Sequence, residues 1–288
     1  MQKNKFFIII LSIIIILNLF YFYLLYMRNK IMKVIVFDLD ETLGHFVELG
    51  MFCDALEKYN KKKLNSNDFF KIMNIFPEFL RTNILKILLY LKSKKQKKEC
   101  DKILIYTNNQ GPKEWTQKIQ KFFEKKINYK LFDQIIAAYK INGIRIEPER
   151  TTYDKTARDL SKCANLPENA QICFLDDLYH PLMENDNIYY IHVDPYVVSI
   201  PFNEMAERYY NSNIQNFDEI NKMEFINYIV KQMNKYNFNT KNKTNDEKKE
   251  DEIISNEILA HLRKFFKLNK KKRTKKRKKK PKNITSKI

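Results

Sequence analysis

The chain begins with an apolar block. Residues 6–26, FFIIILSIIIILNLFYFYLLY, are twenty-one positions without a charge. As a helix at about 1.5 Å per residue they span about 30 Å, the thickness of a bilayer's hydrocarbon core. Ser12 and Asn18 interrupt the run, and Tyr21, Tyr23 and Tyr26 gather at its end, where an interfacial aromatic belt would sit. LYMRNK offers no small-residue cleavage site, so 1–31 reads as a single-pass membrane anchor rather than a removable signal. Starts at Met27 or Met32 would give a soluble form.

The pattern then changes to short apolar runs separated by helical stretches. KVIVFD (33–38) has the composition of a strand buried on both faces. Helix follows through about 95, broken near Pro77, and KILIYT (102–107) is a second strand. Residues 113–127 have helical spacing, with Trp115, Ile119, Phe122 and Phe123 on one face. IIAAY (135–139) is a third strand, a helix starts near Asp154, and QICFLD (171–176) and IYYIHV (188–193) are the fourth and fifth strands. This alternation predicts an α/β domain over 32–210, a Rossmann-like doubly wound parallel sheet. A helical stretch runs over 202–235, its part beyond the domain being an extension at 211–236. Residues 237–251 read as a polar linker, followed by an amphipathic helix carrying Ile254, Ile258, Leu262 and Phe265 or Phe266, and then a basic tail.

Composition narrows this picture. With 44% hydrophobic and 30% charged residues the chain can bury a sizeable core, and wholesale disorder is excluded. Cys53, Cys100, Cys163 and Cys173 form no CxxC pair and no zinc spacing, which predicts reduced thiols in a cytosolic domain. Flanking charges do not decide the orientation, because Lys3 and Lys5 are balanced by Arg28, Lys30 and Lys33. The formal charge of +19 is concentrated: residues 263–288 hold fifteen Lys or Arg and no acid, leaving 53 − 15 = 38 bases against 34 acids elsewhere. The run at 270–282 fits a nuclear localisation signal, a nucleic-acid arm or contact with anionic lipid, and beside an anchor the lipid reading is the most economical.

The candidate chemistry lies at strand ends. Strand 1 runs into Asp38-x-Asp40-x-Thr42, strand 2 ends in Thr107, Asn108 and Asn109, and strand 4 ends in Asp176 and Asp177. In open α/β sheets ligands bind beyond the carboxyl ends of the strands. Four aspartates collected there repel one another, each pair by about 1 kcal/mol at 4 Å in water and by more when partly buried. They call for cations. Carboxylate oxygens suit Mg²⁺, and Lys155 supplies a further positive charge, +3 against −4 in all. Such a site receives a phosphate dianion. Gly44 and Gly111 follow the first two motifs and predict loops whose backbone angles need glycine. His45 and His180 read as loop residues.

VIVFDLDETLG, ILIYTNNQ, Lys155 in YDKTARDL, and CFLDD together resemble the motifs of the haloacid dehalogenase superfamily of phosphohydrolases over about 33–195. DLDET is similar to the branch of NLI-interacting factors and RNA polymerase C-terminal-domain phosphatases, and to proteins of this superfamily in large DNA viruses. TNNQG is similar to polynucleotide phosphatases. The resemblance implies Asp38 as nucleophile, Asp40 as general acid and base with its carbonyl on the metal, and Lys155 as the neutralising cation. Thr107, Asn108 and Thr42 would bind the phosphoryl group, and Asp38, Asp40, Asp176 and Asp177 would make the Mg²⁺ site. The expected function is Mg²⁺-dependent phosphomonoester hydrolysis, with phosphoprotein as the leading substrate. The alternatives are a polynucleotide-end phosphatase and an inactive scaffold at a membrane.

Overall fold

A computed structural model of the chain describes residues 14–18, 21, 31–212, 214, 221–237, 243–268 and 285–287. The chain divides into two units, Met1–Met32 and Lys33–Ile288. In the first, residues 14–18 and 21 are helical; the rest of the expected anchor at 6–26 lies outside the described residues. Among the described residues no helix is long and apolar enough to cross a membrane.

The second unit is built on a parallel sheet. Its strands are β1 (Lys33–Phe37), β2 (Lys102–Tyr106), β3 (Gln134–Ile136), β6 (Gln171–Asp176) and β7 (Ile188–His192), and a short β8 (Thr285–Lys287) extends it backbone to backbone beside β7. A two-stranded hairpin, β4 (Lys140–Ile141) and β5 (Ile144–Arg145), stands apart. The order β3-β2-β1-β6-β7-β8 places β1 in the middle, paired in parallel with both β2 and β6. This is the expected Rossmann-like α/β arrangement. The third strand is shorter than expected, because after Ile136 the chain leaves the sheet for the hairpin.

Strand alternation divides the sheet's side chains into two faces. Ile35, Phe37, Ile103, Ile105, Cys173, Leu175 and Ile191 join the main hydrophobic core. That core is closed by α1 (Val47–Asn60), α2 (Ser66–Ile75), α3 (Ile84–Gln96), α4 (Lys113–Ile127), α6 (Phe202–Asn211) and α7 (Lys222–Met233). Val34, Val36, Leu104, Tyr106, Ile172 and Phe174 point the other way and are also buried, as is Leu160 of α5 (Ala157–Cys163). Burial on both faces explains why β1 reads as a continuous apolar run. Gly44 and Gly111 do not have positive φ; that conformation belongs to Gly143. Gly44 is needed for closeness, since a Cβ there would lie 2.3 Å from the Phe79 carbonyl oxygen.

The expected linker over 237–251 is overturned in its second half. A helix, α8 (Asn245–Lys267), starts there and is opened by a capping box: Glu247 N–H donates to Thr244 Oγ1 at 3.2 Å, and Thr244 N–H donates to Glu247 at 2.7 Å. Its apolar stripe, Ile254, Ile258, Leu259, Leu262 and Phe265, belongs to the main core. At its other end Lys33 Nζ, from the first residue of β1, donates to the carbonyls of Phe265 (3.3 Å), Phe266 (3.0 Å) and Leu268 (3.1 Å). A cation there meets both the orphan carbonyls and the negative end of the helix dipole. The first basic residues of the expected tail, Arg263, Lys264 and Lys267, are therefore helical.

Two outcomes follow from this packing. Leu262→Ala should lower the unfolding free energy by about 2–5 kcal/mol in urea titrations, whereas Ile253→Ala, at a 59% exposed position of the same helix, should change it by under about 0.5 kcal/mol. Burial pushes the thiols of Cys53 and Cys100 up to about 12 and that of Cys173 well above its usual value. Burial raises Cys163 to about 12 as well, so access rather than acidity sets the order: iodoacetamide at pH 8 should spare the three buried thiols until the protein unfolds and modify the partly exposed Cys163 first, read by mass spectrometry.

Candidate active site

The site forms where the sheet changes direction. From β1 the chain builds outward through β2 and β3, then returns to the other side of β1 with β6 and β7. A crevice opens between the carboxyl ends of the two central strands at such a switch point. Phe37 pairs with Leu175, so the next residue of each strand, Asp38 and Asp176, come side by side. Asp38 N–H donates to the Leu175 carbonyl at 2.8 Å, which carries the ladder one residue past the apolar run.

Lys155 lies between the two carboxylates. Its Nζ donates to Asp38 Oδ1 and, at 2.6 Å, to Asp176 Oδ2, and it is 2% exposed. The lysine does not begin a helix, as the sequence suggested. Thr156 is the N-cap of α5, with extended backbone and its hydroxyl accepting from Asp159 N–H at 2.9 Å, so Lys155 lies in the chain before the helix. Burial alone would lower its pKa; Asp38 and Asp176 outweigh burial and raise it, keeping the ammonium charged. Burial likewise pushes Asp176 up, but Lys155 and His180 hold it below the usual carboxylate range. Asp38 moves the other way: burial, with Asp176 adding repulsion, exceeds the pull of Lys155 and raises it. One cation does not balance the carboxylates around it.

Asp177 adds to the imbalance. Burial, with Asp176 next, raises its pKa. Asp38, Asp176 and Asp177 each offer an oxygen within 4.8 Å of the others, a group that can hold a metal ion. Thr42, expected at the phosphate, is bound to this group: its hydroxyl donates to Asp177 Oδ1 at 3.0 Å and accepts Asp177 N–H at 3.1 Å. Asp40, expected to meet the metal through its backbone carbonyl, does not add its carboxylate to these three. Its Oδ2 accepts from Asn109 Nδ2 at 2.7 Å. Burial raises Asp40 to about 6, against the opposing pull of Asn109.

Thr107 follows β2 on the other side of β1. It is buried, held by its N–H to the Ile136 carbonyl at 3.0 Å, and its Oγ1 accepts from Asn109 N–H at 2.9 Å. Asn108 is exposed, with Oδ1 accepting from Arg150 at 2.7 Å. The structure thus brings Asp38, Asp176, Asp177 and Lys155 together directly, with Thr42 bound to Asp177, and ties Asp40 to the Thr107 loop through Asn109.

Sequence reasoning missed four contributors. Arg81 donates to the carbonyls of Glu41, Thr42 and Asp194, and Arg150 to those of Thr107, Ala137, Tyr153 and Asp154. No local pattern marks either arginine. His180 lies 3.4 Å from Asp176 through Nε2, and only its closeness to CFLDD hinted at this. Asn109 was visible in TNNQG but carried no role. Comparison of the chain with models of known protein families, with curated proteins and with solved structures finds no match.

If the three carboxylates hold a cation, a millimolar divalent cation should raise the melting temperature, because a ligand bound only to the folded state stabilises it. Asp177→Asn should shrink that rise while leaving the Lys155 pairs intact; a full rise in this variant would remove Asp177 from the metal group.

Proposed function

We propose that the protein is a Mg²⁺-dependent phosphomonoester hydrolase that works through an aspartyl-phosphate at Asp38, in a fold of the haloacid dehalogenase type. The observation that carries this reading is the buried Lys155 bridging Asp38 and Asp176 at the sheet's switch point, with a further carboxylate, Asp40, two residues after Asp38. The donor set fits the metal: three carboxylates, hard oxygen ligands, with more negative charge than Lys155 neutralises. Asp38, Asp176 and Asp177 would hold Mg²⁺, which when bound supplies positive charge for phosphoryl oxygens.

The chain's own groups account for the rest. Lys155 takes Asp38 Oδ1 and fixes the carboxylate, leaving the other oxygen to attack phosphorus. As the bond from phosphorus to the leaving oxygen breaks, Asp40 gives that oxygen its proton. Asp40 then takes a proton from water, the water oxygen attacks phosphorus, and the bond to Asp38 breaks to release phosphate. A carboxyl group near 6 suits both directions of this transfer. Thr107 and the exposed Asn108, at the end of the neighbouring strand, would meet phosphoryl oxygens.

Phosphoprotein is the favoured substrate. Residues 33–288 form one compact unit, without a separate domain over the strand ends among the described residues. Large apolar side chains lie exposed beside the site residues in sequence: Tyr153 before Lys155, and Leu178 and Tyr179 after Asp177. An open site with such a border suits a polypeptide. The segment at 6–26 supports attachment to a membrane, with the catalytic domain in the cytosol, where reduced thiols persist.

Turnover of p-nitrophenyl phosphate with and without Mg²⁺ separates an enzyme from a scaffold, and comparing a phosphopeptide with 3′-phosphorylated DNA separates the two enzymes. Asp38→Asn should lower kcat by about 10³-fold or more while the circular dichroism spectrum stays that of the native protein. Substantial Mg²⁺-dependent turnover by the folded variant would overturn the assignment of Asp38.

A further inference from the structure

We propose that Asn109 is the positioning residue for Asp40, and so for proton delivery to the leaving group; this rests on the phosphohydrolase reading above. Three hydrogen bonds fix Asn109. Its N–H donates to Thr107 Oγ1 at 2.9 Å, its Oδ1 accepts Gly111 N–H at 2.8 Å, and its Nδ2 donates to Asp40 Oδ2 at 2.7 Å. The backbone N–H of Gly111 can only donate, so the amide atom facing it is the oxygen. That fixes the amide's orientation and turns its NH₂ group toward Asp40. An aspartate at 109 would face Asp40 with acceptors alone.

Asp40 has no other anchor of this kind. Its Oδ1 is buried and has no hydrogen-bond partner among the described residues, so Asn109 supplies the side-chain hydrogen bonding that holds the carboxyl group. The main chain beside Asp40 is shaped by a tight turn. Glu41 has φ of 55°, its N–H donates to the Gly44 carbonyl at 2.8 Å, and its own carbonyl is gripped by Arg81 at 2.6 Å. The backbone is thus set by the β1 loop, and the side chain is aimed by the β2 loop. One amide couples the loop carrying Thr107 to the acid that must meet the leaving oxygen.

The bond also contributes to the chemistry. When Asp40 gives its proton to the leaving oxygen, it becomes a carboxylate, and an N–H on Oδ2 stabilises that charge as it forms. Loss of Asn109 should therefore harm the proton-transfer step and not the binding of phosphate. The need for that proton depends on the leaving group: p-nitrophenolate departs readily without it, whereas phenolate relies on it more.

The experiment uses the full chain with Mg²⁺ and compares kcat/KM for phenyl phosphate and p-nitrophenyl phosphate. kcat/KM reports the step that transfers the phosphoryl group to Asp38, before the hydrolysis that both substrates share. Asn109→Ala should lower kcat/KM for phenyl phosphate by about tenfold or more, part of the 10²–10⁴ that general acid catalysis typically supplies, and for p-nitrophenyl phosphate by less than about threefold. Gly111→Ala is the second variant and stands in if the first does not fold. Its Cβ would lie 2.8 Å from Asn109 Oδ1, pushing the amide from its place without deleting it, and it should show the same leaving-group dependence in milder form. Equal losses on both substrates, or none on either, would overturn the positioning role and leave the phosphohydrolase reading intact. Absence of turnover by the unaltered protein on both substrates would overturn the phosphohydrolase reading itself, and this inference with it.

Discussion

A single buried ammonium organises this molecule. Lys155 is drawn out of water by Asp38 and Asp176, and neither the lysine nor the two acids would tolerate burial at this density alone. Removing one member of such a buried set typically costs about 3–5 kcal/mol, because the others are left without compensation. The constraint is structural as well as electrostatic. It joins the ends of the two central strands to the chain before α5, so the carboxylates at the switch point have a fixed floor. It is also unbalanced, since Asp177 adds a further carboxylate. With that residual charge the three carboxylates form a group that can hold a metal ion.

Around this floor two buried arginines do what a sheet cannot do for its own loops. Beyond the strand ends the ladder stops, and carbonyl groups there would be left unpaired. Arg81 meets those of Glu41, Thr42 and Asp194; Arg150 meets those of Thr107, Ala137, Tyr153 and Asp154. A guanidinium group suits this task because it presents five donors in a fixed plane and stays charged when buried. Arg81, lowered to about 10 by burial, is still a cation at neutral pH. Each arginine grips one loop of the site together with a neighbouring segment, which gives loop residues the rigidity of the strands below them. Arg150 also spans from the Thr107 loop to the chain just before Lys155.

The helical side of the sheet is held by similar long-range ties. Glu48 of α1 is fully buried and accepts Ser199 Oγ and Ile200 N–H, both at 2.8 Å, fastening the helix to the chain that leads into α6. Lys33 fastens the end of α8 to the start of β1. These contacts lie far apart in sequence. They explain why residues 245–268, polar enough in their first third to pass for a linker, belong to the domain.

Much of this was legible in the chain alone. Continuous apolar runs at 33–38, 102–107 and 171–176 mark strands buried on both faces, since water-facing positions would have interrupted them. Acids and a threonine placed where those runs end mark a site at the carboxyl edge. The start of α8 was legible too, in Thr244-x-x-Glu247, although local polarity hid it. Composition and spacing could not give what depends on distant partners. Thr42 was expected at a phosphate, and the fold hands its hydroxyl to Asp177, 135 residues away. Asn109 looked like part of a turn, and the fold aims its amide at Asp40, 69 residues earlier. Arg81 and Arg150 lie outside any motif, because a group that binds main-chain carbonyls leaves no constraint on the side chains it meets. The sequence by itself determined the five strands β1, β2, β3, β6 and β7 and which acids end them, because both follow from local burial, but not the hairpin or β8. Only the tertiary structure decided which polar atoms pair, because hydrogen bonds depend on positions within a few tenths of an ångström that no local pattern sets.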